Sequence, residues 1–378
     1  MKRSSNTIRS ERVFREKSNE IVKKSKIISY AGAFIALLIG SGFATGQEVM
    51  QYFAAWGYKG ILGVLVCFLL LAYVGTSFIS AGYNNKFETP NDIYRYYCGD
   101  KLGTFYDYFS IFFIFLSFTV MIGGAGATTS QHYSWSPYVG GILMASITVI
   151  TVLLGLNKIV DIIGNIGPII VIIAIFVGAA SIIMNIDSAK EAPAIINELV
   201  KNKEIKVASS NWLLAAGSYV GFCMLWLAAF LGQIGAGANS QKEGRIGAFT
   251  GAAGFSIAVL LMSLGIFFSI ASLKGSQIPT LILAGRIHPM LANVFSVIIL
   301  LGIYTTSVPL LWSVIARFAK EKTPKFKILT IAMGIVGTFM GLILKFDVLV
   351  NYVYVLNGYV GLILLFIMIA KSIKNKKI

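Results

Sequence analysis

Ten apolar runs, each close to the length of a bilayer-crossing helix, constrain this chain more than anything else in it. They fall at about 27–55, 60–83, 105–127, 138–156, 159–184, 210–234, 247–272, 292–316, 327–344 and 348–370. A spanning helix needs roughly 20 predominantly apolar residues. In lipid each backbone polar group must be satisfied internally, which for such runs means helices. Most connections between the runs are short, so no separate soluble domain is expected. The fold class read from the sequence is therefore an all-α integral membrane protein of ten transmembrane helices, numbered here as spans 1 to 10.

Charge placement gives the topology. The chain carries a net charge of +16, a value that in a soluble protein would suggest nucleic acid. With ten spans both termini share a side. Placing them inside assigns twenty-four Lys and Arg to that side and eight to the other. This is the positive-inside asymmetry. Both termini are expected to be cytoplasmic. The surplus charge then serves topology and lipid headgroups, and no nucleic-acid partner is expected. Residues 1–26 and 371–378 read as basic tails, 27–184 and 209–370 as two halves of five spans, and 185–208 as an outer loop. Cys67, Cys98 and Cys223 have no metal or redox spacing, and His132 and His288 fall in separate outer loops. No cofactor, no metal beyond a coupling ion and no enzymatic arrangement are expected.

The run Gly40-Ser41-Gly42-Phe43-Ala44-Thr45-Gly46-Gln47-Glu48 interrupts span 1. Each glycine weakens a helix by roughly 1 kcal/mol relative to alanine, and a carboxylate at membrane depth is costly unless it faces protein or water. Irregular backbone at that depth is tolerated where it lines a cavity. Span 6 carries Gly217-Ser218-Tyr219-Val220-Gly221-Phe222-Cys223 in the corresponding place. Connections 84–104 and 272–291 also correspond, each with a proline opening a helix-like run (Pro90 and Pro279). One lies inside and the other outside, as an inverted repeat of five requires. Paired interrupted helices point to the binding site of a secondary transporter. The expectation is a 5+5 inverted repeat with spans 1 and 6 both broken.

Such a break offers two chemistries. Free amides of Ser41, Gly42 and Phe43 suit a carboxylate, and free carbonyls near Ile39 suit a hard cation. In span 8, Gly302-Ile303-Tyr304-Thr305-Thr306-Ser307 supplies hydroxyls that would complete an oxygen cage for Na⁺. Taken alone, such hydroxyls more often bond back to their own helix. Glu48, with Gln47 beside it, is a candidate for proton coupling or for pairing with a substrate ammonium. Asn165-Ile166-Gly167-Pro168 should kink span 5.

At these residues the chain resembles the amino acid–polyamine–organocation superfamily, with its leucine-transporter-type inverted fold. Ile39-Gly40-Ser41-Gly42-Phe43 is similar to the Gly-x-Gly signature of its broken first helix. Ser218 to Phe222 resembles the broken sixth helix, and Thr305-Thr306 the hydroxyl pair that holds sodium. The wording of span 1 resembles that of bacterial YkvI-like membrane proteins. The resemblance implies substrate contacts at Gly40, Ser41, Gly42, Phe43, Ser218, Tyr219 and Gly221, with Phe222 as an aromatic lid. It implies sodium contacts from the carbonyls of Ala36, Ile39 and Gly302 and the hydroxyls of Thr305 and Thr306. Phe43 stands where members with a second sodium site place an amide, so no second site is expected. Proton-coupled relatives use a lysine of span 5; the one candidate here, Lys158, sits at the cytoplasmic end and reads as a topological charge. The implied function is alternating-access transport of an amino acid or similar small organic solute. Na⁺ is the expected coupling ion and H⁺ the alternative; a non-transporting solute sensor of the same fold is the rival reading.

Overall fold

The structure, a computed structural model, describes residues 23–154 and 166–376. Lys158, Asn165 and most of the N-terminal tail lie outside these. Among the described residues all regular secondary structure is helical. Eight helices are long and apolar enough to cross a bilayer: Tyr58–Asn85, Asp92–Tyr133, Pro137–Leu154, Trp212–Gly237, Gln241–Phe268, Pro289–Ala316, Pro324–Ile343 and Phe346–Lys376. They stand at spans 2, 3, 4, 6, 7, 8, 9 and 10. The helix Ile166–Met184 stands at span 5. Leucines 62, 65 and 69 of span 2 and Ile328, Ile335 and Phe339 of span 9 are exposed, as residues facing lipid would be.

Span 1 is broken where its glycines cluster. A helix Lys24–Leu38 ends at Ile39, whose backbone is extended (φ −92°, ψ 93°), and Gly40 is extended as well. A short helix Ser41–Thr45 follows, then Gly46 at φ 83°, then a second short helix Gln47–Tyr52. That φ is left-handed, a region where only glycine sits without steric cost. A side chain at Gly46 would also meet Thr280 Cγ2 at 2.8 Å. The freed carbonyls find donors nearby. Thr280 Oγ1 donates to the Ala44 carbonyl (2.8 Å) and Thr45 Oγ1 to that of Gly42 (3.1 Å).

Span 6 corrects the expectation of a paired break. Trp212–Gly237 is one continuous helix through Gly217 and Gly221. Its glycines serve close packing against span 10. A Cβ at Gly221 would collide with the Gly358 carbonyl, one at Gly358 with the Ser218 carbonyl, and one at Gly361 with Gly221 itself. Small residues let two membrane helices approach backbone to backbone. Gly123 likewise lies against the Gly341 carbonyl, and Gly251 makes room for the side chain of Phe34.

The two corresponding connections both carry helix. The run after Pro90 forms a short helical segment from Asp92 that leads into the helix of span 3, which ends at Tyr133. Gly99 (φ 71°) interrupts it and sets the first turns apart. The run after Pro279 forms the helix Pro279–Ile287, which lies over the break in span 1 through Thr280.

Candidate functional site

The break in span 1 places chemistry on two sides. On one side, Ala36, Ile39, Gly302, Thr305 and Thr306 line a single cavity of about 220 Å³, with Ala33, Leu37, Ile170, Phe230 and Pro309. All five groups expected around a sodium ion are thus brought together from spans 1 and 8. Thr305 and Thr306 each donate a hydroxyl hydrogen to the Gly302 carbonyl (3.0 and 2.9 Å). Their oxygen lone pairs stay free to accept a cation. The Gly302 carbonyl, already taking two donors, is the most occupied of the five.

On the other side lies Glu48. Its carboxylate folds back over Gly42, where an added Cβ would run into it. Glu48 is fully buried; Tyr219 OH reaches its Oε2 at a long 3.4 Å, and its Oε1 has no hydrogen-bond partner. Tyr52, Tyr219 and Tyr354, from spans 1, 6 and 10, all lie within electrostatic reach of it. Tyr354 OH lies near Ser41 and Tyr52 OH near Ser218, but at no bonding geometry, so Ser41 Oγ, Tyr52 OH and Tyr354 OH are also without partners. Phe222 closes the group. Its ring stacks on Tyr354 (4.8 Å) and meets Tyr52 (5.6 Å) and Tyr219 (4.9 Å) edge-on. Tyr52 and Tyr354 carry no motif of their own, and only the fold reveals them.

Gln47 and Glu48 part company. Neighbours on a helix point about 100° apart, since 3.6 residues make a turn. Gln47 therefore points toward the connection before span 8, where its Nε2 donates to the Ser276 carbonyl (2.8 Å). From Gln47 a chain of amides runs outward. Gln51 Nε2 donates to Gln47 Oε1 (3.0 Å) and to the Asp347 carbonyl (2.8 Å), and Asn351 Nδ2 donates to Gln51 Oε1 (2.9 Å). Gln131 accepts from the backbone of Gln277 and Ile278 (2.9 and 3.0 Å). These bonds sew spans 1, 3 and 10 to the connection before span 8. Of the other expected contacts, Phe43 packs against Phe255 (5.4 Å), and Ser218 Oγ bonds back to Ala215 (3.1 Å). His132 bonds Asn293 and His288 caps its own helix.

No family model matches the chain. It is 22% identical to the uncharacterized membrane protein YkvI of Bacillus subtilis, over 94% of this chain and 98% of that protein. It is 23% identical to the uncharacterized protein YyaD of the same organism, over 90% and 95%. Among solved structures it superposes on MhsT, crystallised in complex with L-phenylalanine, with a TM-score of 0.54 at 14% identity, over 91% of this chain and 88% of that one. The likeness is one of fold. It bears out the leucine-transporter-type architecture expected from span 1, with span 6 unbroken in this structure.

Proposed function

We propose that the chain is a secondary active transporter of an amino acid or similar small organic solute, coupled to Na⁺ and working by alternating access in a bacterial plasma membrane. The observation that carries this reading is the cavity where Ala36, Ile39, Gly302, Thr305 and Thr306 meet at the carbonyl end of a broken helix. Carbonyls and hydroxyls are hard oxygen ligands, and broken helices are where secondary transporters bind their ions. The fold shared with MhsT, a protein crystallised with an amino acid, supports the same reading. Sodium in this cavity would tie span 1 to span 8 and so favour one arrangement of the two bundles. A ligand shifts such an equilibrium only by its differential affinity for the two states.

A second reading is favoured by Glu48, buried without a cation among the described residues. There the coupling ion is a proton. Uptake into proteoliposomes separates the two. Accumulation should follow an inward Na⁺ gradient, and NaCl should stabilise the purified protein over KCl by mass action. Replacing Thr305 and Thr306 together by alanine should lower sodium affinity at least about tenfold, a loss of two ligands each worth about 1 kcal/mol. Unchanged sodium dependence in that variant sinks the cage, and accumulation that ignores Na⁺ but follows pH points to Glu48. Binding without accumulation under any gradient would make the protein a sensor.

A further inference from the structure

Among the described residues three carboxylate side chains are buried, Glu48, Asp107 and Glu243. Asp107 pairs with Arg317 (2.7 Å) and takes a bond from Asn91 (2.5 Å), and Glu243 accepts from the backbone N–H of Lys23 (2.6 Å). Glu48 has only the long bond from Tyr219 OH (3.4 Å), its Oε1 is without a partner, and no Lys, Arg or His among the described residues is buried. Around it stand three hydroxyl oxygens without partners, those of Ser41, Tyr52 and Tyr354, and the aromatic faces of Tyr219 and Phe222. The group is rich in acceptors and ring faces and holds no cation. Because Glu48 lies against Gly42, a carboxylate docking on the amides of Ser41 and Gly42 would be crowded by the Glu48 carboxyl group.

We propose that Glu48, Ser41, Tyr52 and Tyr354, walled by Tyr219 and Phe222, form a seat for a primary ammonium group, and that the solute carried is an amine without a carboxylate beside its nitrogen. A primary ammonium presents three N–H donors. The orphaned acceptors are Glu48 Oε1 and the three hydroxyls, enough to satisfy all three donors. The ring faces add cation–π attraction, which strengthens where water is excluded. A quaternary ammonium would use the rings but leave the hydroxyls unmatched. This assignment rests on the transporter reading above and narrows its substrate class.

The test compares molecules that differ by one group. Ethylamine is alanine without its carboxylate, and phenethylamine is phenylalanine without it; ethanol and phenethyl alcohol are the neutral counterparts. Thermal stabilisation of the purified full-length protein should appear with the amines at concentrations at least about tenfold below the amino acids, and not with the alcohols. Glu48→Gln should weaken amine binding at least about 30-fold, as removal of one partner of a buried charge pair does. Tyr354→Phe, which removes a single hydroxyl, should weaken it about fivefold and keeps the test alive if the glutamine variant does not fold. Stabilisation by the amino acids over the amines, by the alcohols equally, or by no amine overturns the assignment. Sodium-driven accumulation of alanine or phenylalanine with no amine response sinks the seat and keeps the transporter. Amine binding with no accumulation under Na⁺ or H⁺ gradients keeps the seat and sinks the transporter.

Discussion

Spans 1 and 6 have the same kind of wording, glycines among small and polar residues at the middle of an apolar run, and they fold differently. Span 1 comes apart at Ile39–Gly40 and again at Gly46. Span 6 runs straight through Gly217 and Gly221. The difference lies in what surrounds each glycine. Opposite span 6 stand Gly358 and Gly361, so flat helix meets flat helix and the hydrogen-bond ladder stays whole. Opposite span 1 stands Thr280, whose hydroxyl takes up the freed Ala44 carbonyl beside Gly46. A glycine permits a break in a membrane helix, and at Gly46 the released backbone finds a partner.

Substitutions can break this comparison. The largest effect should come from Gly221→Leu, which drives a side chain into the backbone of span 10. Overpacking commonly costs about 1–3 kcal/mol, and a clash with backbone has no easy relief. Folded, monodisperse protein should be lost on size-exclusion chromatography, whereas Gly217→Ala, which meets only Leu362 Cδ1 at 3.3 Å, should survive. Full tolerance of leucine at Gly221 would mean that the span 6 glycines are not a packing face. Gly46→Ala should cost about 1–2 kcal/mol for the left-handed backbone it must adopt, read as a lowered melting temperature in detergent. Thr280→Val should cost about 1 kcal/mol, the net worth of the bond to Ala44, measured the same way. If Thr280→Val proves silent, the idea that partners make the break loses its main support.

Much of the architecture was legible because lipid leaves few options. The apolar runs placed the described helices of spans 2 to 10, most of their ends within several residues, and the cluster Gly40-Ser41-Gly42 marked the break. Ala36, Ile39, Gly302, Thr305 and Thr306, which line one cavity, could be named because the carbonyl end of the break and the hydroxyls of span 8 each have a local signature. The partners of Glu48 have none. Tyr52, Tyr219 and Tyr354 sit on three helices, and aromatic residues are common in apolar runs, so only packing shows which of them surround a carboxylate. The continuity of span 6 was hidden for a related reason: it is decided by glycines on span 10, some 140 residues further on. The opposite aims of Gln47 and Glu48, by contrast, follow from helical geometry alone.

The seam that joins Gln47, Gln51 and Asn351 to the connection before span 8 is made of amides and backbone carbonyls. No ionised side chain contributes a bond in it. Parting that seam therefore displaces no formal charge through the membrane field, where one elementary charge is worth about 2.3 kcal/mol per 100 mV. In the cycle proposed above, the electrical work would fall on the charged solute and its coupling ion. Opening at this side should then be voltage-independent, with the membrane potential acting on the steps in which those ions move.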